Sequence, residues 1–133
     1  MKQSGILLDT HALIWYDSQP QRLPPRVRDT LRRGDQDIYY SAITFYELWQ
    51  KASRGSKEIT VARVESVVNN LPSYGFKALP IHAHHSRLAA SLEWENRDPF
   101  DRIIAAQAIV DGLQIVTADT AFTSLEQLRV VWE

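Results

Sequence analysis

At 133 residues, with 44% hydrophobic and 23% charged side chains, the chain has the make-up of one ordinary globular domain over residues 1–133, able to bury roughly two-thirds of its unfolded surface. No run of about 18 apolar residues is present to cross a membrane, and no basic-then-apolar leader precedes the first strand, so a cytoplasmic protein is expected. Zero cysteines exclude disulfides, thiolate zinc sites and cysteine nucleophiles, and a net charge of −1 leaves any nucleic acid to be held by a local basic patch.

In chain order, Gly5-Ile6-Leu7-Leu8 is a short continuous apolar run ending at Asp9, followed by Thr10 and an apolar helix from His11 through Tyr16. That pattern fits a central parallel strand feeding a helix. Pro20, Pro24 and Pro25 break the chain, and Arg26 to Arg33 forms a basic helix ending near Gly34. Ile38-Tyr39-Tyr40 is the second strand; Ser41 to Thr44 leads into a helix through Trp49 that Arg54-Gly55-Ser56 closes. Thr60 caps an amphipathic helix carrying Val61, Val64, Val67, Val68 and Leu71, which Pro72 follows. Phe76 to Ile81 reads as a strand and His82 to Glu93 as a helix.

The best-marked stretch comes next. Pro99 suits a first helical position, Asp98 before it can accept from the free first-turn amides, and Gly112 can take the left-handed conformation that stops the helix. Between them Ile103 to Val110 is apolar on most sides, and the strand Leu113 to Thr117 runs on to Asp119. A short helix around Phe122 to Gln127 and a strand Val130-Val131-Trp132 complete the chain.

Alternating strands and helices predict a three-layer α/β/α fold with a mainly parallel sheet of four to five strands. Ligands of such sheets sit beyond the carboxyl ends of the strands. Asp9 and Asp119 end strands, and Glu47 and Asp101 fall in first turns of helices, so all four acids are expected at one edge. Each also has a plain structural reading: Thr44 to Glu47 has the spacing of a capping box, Asp98 to Asp101 has the same spacing, and Asp9 and Asp119 can open Asx-turns. Taken together they repel unless a cation offsets them, and an oxygen-only donor set suits one or two Mg²⁺ or Mn²⁺ ions better than zinc.

These residues carry a resemblance. Leu7 to Trp15, Ser41 to Thr44 with Glu47, Arg97 to Arg102, and Val116 to Asp119 resemble, in order and spacing, the successive motifs of PIN-domain ribonucleases, with VapC-type toxins the best match. The resemblance implies a metal-dependent endoribonuclease with Asp9, Glu47, Asp101 and Asp119 as catalytic and metal-holding acids, and Thr10 and Thr117 as hydroxyls that orient them. Asp9 and Asp101 are expected to ligate directly, Glu47 to ligate or hold water, and Asp119 to act through water; Asp98 serves chiefly as a cap. RNA phosphodiesters, in single strands or tRNA, would be hydrolysed by in-line attack of an activated water, leaving a 5′-phosphate and a 3′-hydroxyl. The resemblance further implies a cognate antitoxin, a homodimer and a higher toxin–antitoxin assembly.

The alternatives are a non-catalytic PIN-like module that binds RNA or protein, and a phosphatase using Asp9 as nucleophile. The latter family expects D-x-D-x-T, whereas Asp9 is followed by Thr10-His11. Arg22, Arg26, Arg54, Lys57 and Arg102, with Lys51, offer the basic rim an RNA backbone needs, against the plain alternative of solvated helix faces. His82, His84 and His85 do not share a helix face and read as structural, as does His11; Trp15 and Trp49 suit a dimer or partner surface.

Overall fold

A computed structural model describes residues 5–133. Five strands, β1 (Gly5–Leu8), β2 (Asp37–Ser41), β3 (Lys77–Leu79), β4 (Gln114–Val116) and β5 (Arg129–Val131), form one sheet in the order β3-β2-β1-β4-β5. Every pairing is parallel. The apolar run of β1 puts it in the middle, because a strand covered on both faces gains nothing from alternation. Ile6 and Leu8 join one core and Leu7 the other.

Six helices complete the three layers: α1 (Thr10–Ser18), α2 (Pro25–Arg33), α3 (Thr44–Ser53), α4 (Val61–Tyr74), α5 (Ala83–Ser91) and α6 (Pro99–Asp111). Leu13 and Ile14 of α1, Val27 and Leu31 of α2, Leu48 of α3 and Val64 and Val67 of α4 pack on the Ile6 and Leu8 face. Ile104, Ala105 and Ala108 of α6, with Leu88 of α5, cover the Leu7 face. The crossovers diverge on either side of β1, whose neighbours are β2 and β4, and this opens a crevice beyond its carboxyl end.

Helix α6 starts and stops as its sequence demands. Asp98 Oδ1 accepts from the amides of Phe100 and Asp101, Pro99 is the first helical residue, and Gly112 ends the helix at φ 71°. Most boundaries shift by a residue or two from expectation, as β3 and α5 do, and two elements differ in kind or extent. Pro72 lies inside α4, which runs on to Tyr74 and stops at Gly75. The last turn is held from outside: the Tyr74 hydroxyl donates to Asp17 at 2.5 Å, and its ring packs on Tyr16 and Phe76. The helix expected over Phe122 to Gln127 is instead a 3₁₀ turn over Thr120–Ser124, started by Asp119.

Candidate active site

The four acids meet in one cleft of about 330 Å³, lined also by His11, Trp15, Lys51, Glu58, Asp98 and Ala118. Asp9 arrives at the end of β1 and caps α1, its Oδ1 accepting from the Thr10 amide at 2.8 Å. Its other oxygen accepts from the Thr117 hydroxyl at 2.7 Å, a bond that joins the ends of β1 and β4. Thr10 in turn donates from Oγ1 to Glu47 Oε1 at 2.5 Å. Thr10 and Thr117 thus each donate a hydroxyl to one of the acids.

Glu47 is not a helix cap. The residue before α3 is Ile43, Thr44 is already helical, and the Thr44 hydroxyl is buried without a partner among the described residues. Freed from capping, Glu47 projects into the cleft, 2% exposed, and its Oε2 lies 2.8 Å from the Lys51 ammonium one turn on. Burial works against the charge on Lys51, but its bond to Glu47 and the nearby charges of Asp98 and Asp101 outweigh burial and raise its pKa. Lys51 therefore belongs to the acid cluster rather than to an outer basic rim.

Asp101 makes no reciprocal cap with Asp98. Its Oδ2 accepts from Asn96 Nδ2 at 2.9 Å, and Asn96 Oδ1 accepts from the Asp98 amide. Burial, reinforced by the charges of Asp9, Asp98 and Glu47 against the Asn96 bond, pushes the Asp101 carboxyl up to about 7. Burial likewise raises Asp9, although its bonds to Thr117 and Thr10 pull the other way. Asp119 sits exposed at the rim, where its Oδ1 accepts from the Ala121 amide as the expected Asx-turn.

The donor set is all carboxylate oxygen, and two of its members are held above their ordinary pKa by burial and mutual repulsion. Such a set fits a hard divalent cation, which would favour the ionised forms that burial disfavours. The sign of the resulting pH dependence is fixed. A carboxyl raised from 3.8 to about 7 keeps its proton in the fold where the unfolded chain has lost it, so the metal-free protein loses stability as pH rises through that window. The melting temperature of chelator-treated wild type should fall more between pH 5 and pH 8 than that of Asp101→Asn, and parallel curves would refute the assignment.

The basic residues are dispersed. Arg102 is engaged within the fold: its guanidinium donates to the carbonyls of Ala89, Leu92, Trp94 and Asn96, which fixes the loop that carries Asn96. Arg22 pairs with Glu58 and lies 3.9 Å over the Trp15 ring. Arg26 borders a different hollow with Val131 and Glu133, and Arg54 and Lys57 are exposed on the α3–α4 connection outside the lining of the cleft. Trp15 is not a partner surface either; it is 8% exposed and its indole N–H donates to Glu58. Trp49 is 39% exposed. The rings of His84 and His85 each stack on His82, and His84, His85 and Asp111 bring ligand atoms within 4.8 Å. Both His85 ring nitrogens are already engaged, however: Nδ1 accepts from the His82 amide and Nε2 lies 3.1 Å from Asp111. A metal there would have to break one of these bonds.

A parallel sheet ordered β3-β2-β1-β4-β5 with acids gathered at the carboxyl edge of β1 and β4 is the arrangement of a PIN domain, and the chain matches that family over residues 6–128. The chain belongs to the PIN-domain family. It is 26% identical over 129 residues to the ribonuclease VapC22 of Mycobacterium tuberculosis, covering 95% of both chains. Its fold is similar to that in VapBC2 of Rickettsia felis bound to a promoter DNA fragment, with a TM-score of 0.73, 18% identity, and 97% of this chain and 99% of that one covered. A second solved relative is VapBC-5 of M. tuberculosis, a member of the VapBC family of toxin–antitoxin systems, with a TM-score of 0.62, 18% identity and coverage of 98% and 99%. Among the described residues no helix is long and apolar enough to cross a membrane.

Proposed function

We propose that this PIN domain is a Mg²⁺- or Mn²⁺-dependent endoribonuclease and the toxin of a toxin–antitoxin pair. One observation carries the reading: Asp9, Glu47, Asp101 and Asp119, from four separate stretches of chain, share a single cleft. Similarity to a protein named as a ribonuclease supports the chemistry, and similarity to VapBC structures supports a cognate antitoxin and an assembly with it.

Asp9, Asp101 and Glu47 would hold one or two ions, with Asp119 acting through water at the rim. A bound ion supplies Lewis-acid polarisation of the phosphoryl oxygen, a lowered pKa for the attacking water and charge to offset the leaving 3′ oxygen. The chain supplies position. Thr117 and Thr10 lock the carboxylates of Asp9 and Glu47, Asn96 holds Asp101, and α6 keeps Asp101 in register with the β4 end. A phosphatase reading is weaker, because a nucleophilic Asp9 would be expected to have a second acid two residues on, and that position is His11.

Two measurements test this separately. Mg²⁺ or Mn²⁺ should raise the melting temperature of chelator-treated protein, as any ligand of the folded state does. Purified protein should cut single-stranded RNA or tRNA with either ion and not in excess EDTA. An unmoved melting temperature removes the metal from the proposal, and intact RNA across a broad panel removes the nuclease.

A further inference from the structure

The acidic cleft has an end that the four acids do not use. Its volume, about 330 Å³, exceeds what an ion with its waters needs at roughly 30 Å³ per water. That end is walled by His11 and Trp15 of α1 and by Glu58 from the connection to α4. Glu58 lies outside the quartet yet is held in one orientation. Its Oε1 accepts from Trp15 Nε1 and from Arg22 Nη1, both at 2.9 Å, and Trp15 is itself anchored in the core. The Trp15 bond, helped by the charge of Arg22, keeps the Glu58 carboxyl below the usual range. Its second oxygen is different. Oε2 lies 3.9 Å from His11 Nε2, beyond hydrogen-bond reach, on a side chain that is 40% exposed. An oriented, ionised acceptor with open lone pairs therefore stands beside an accessible imidazole ring in the cleft where the phosphodiester is to be cut.

Resting on the endoribonuclease reading, we infer that Glu58 and His11 form a base-reading subsite for guanine next to the scissile phosphate. Single-stranded RNA is recognised by stacking a splayed base on an aromatic ring and bonding its Watson–Crick edge. His11 supplies the ring and Glu58 Oε2 the acceptor. Guanine turns two adjacent donors, N1–H and the N2 amino group, toward such an acceptor. Adenine and cytosine offer one amino group beside a ring acceptor, and uracil flanks its single N–H with two carbonyls that a carboxylate repels.

The test is to incubate wild type and Mg²⁺ with single-stranded RNAs randomised over a short window and to sequence the cut ends. Guanine should exceed uracil about ten-fold or more at one position flanking the cut, the scale of a good base-edge contact. Glu58→Gln retains an acceptor for Trp15 and turns the outward oxygen into an amide donor. In that variant the guanine preference should vanish and uracil, with its carbonyl acceptors, should rise at the same position; Glu58→Ala should flatten the preference. Matching thermal melts would show that the Gln variant folds. Cutting without base bias, or a Gln profile identical to wild type, overturns the subsite and leaves Glu58 as a structural partner of Trp15 and Arg22. No cutting at all by wild type with either ion defeats the nuclease reading, and this one with it.

Discussion

Asp9→Asn is expected to lower RNA cleavage by about 10³-fold or more, equivalent to roughly 4 kcal/mol of transition-state stabilisation, while making the metal-free protein harder to melt. Both halves follow from the same geometry. Asp9 is a buried carboxylate whose oxygens accept from the Thr10 amide and the Thr117 hydroxyl. Asparagine has the same shape and one acceptor oxygen, and the Thr117 hydroxyl can rotate to suit an amide, so the backbone has no cause to move. The variant lacks the charge that burial disfavours, which is why the empty fold gains stability. It also lacks the charge that would hold a cation. Cleavage with EDTA-sensitive kinetics and melting with and without Mn²⁺ measure the two effects on one sample. Asp119→Asn gives the contrast. Asp119 is exposed, and its loss should cost about 10-fold, in line with groups that act on a metal site through an intermediary. Equal losses at Asp9 and Asp119 would contradict the assigned roles.

Arg102→Ala should destabilise the domain by about 3 kcal/mol or more. The guanidinium donates to four carbonyls, at 2.8 Å to Ala89, 2.5 Å to Leu92, 3.2 Å to Trp94 and 2.8 Å to Asn96. Charged donors contribute more per bond than neutral ones, and removing this one strands several carbonyls at once. Arg102→Lys should recover less than half of the loss, since one ammonium cannot satisfy acceptors spread around a planar fork. Urea unfolding of the three proteins gives the comparison, and an Ala variant within 1 kcal/mol of wild type would refute the clamp. Because the clamped loop presents Asn96 to Asp101, the same variants should also weaken metal binding.

What could be foreseen divides along the range of the interactions. Pro99 and Gly112 mark α6 because a missing N–H and a positive φ are local requirements, and the four apolar residues of β1 place it in mid-sheet for the same reason. The gathering of four acids was legible from topology alone, since parallel strands must present their carboxyl ends together. Side-chain partners were not. Thr44 has the right spacing to cap toward Glu47, but the backbone enters α3 one residue earlier and leaves its hydroxyl idle. Arg102 reads in sequence as part of a basic rim for RNA, and only the folded loop supplies its carbonyls. Asn96, two residues before the cap, was missed, although Asn-x-Asp-Pro carries the signal: a short amide that can bond the cap's own N–H. Pro72 misleads because the cost of a proline in a last turn was offset by Tyr74, whose anchor on Asp17 lies 57 positions away.

The bond from Thr117 to Asp9 spans 108 positions. A helix such as α2 can form as soon as its own residues are free, but this bond, and the pairing of β1 with β4 beside it, must wait for almost the whole sequence to be made and collapsed. Contacts of such separation are reached late and slowly, after loop closure has been paid for. Partly made or partly folded chains thus hold the acids apart, and the cleft comes into being only with the final closure of the sheet. Whatever chemistry the four acids perform together is therefore open only to the completed chain, because no fragment lacking β4 can place Asp119 and Thr117 beside Asp9.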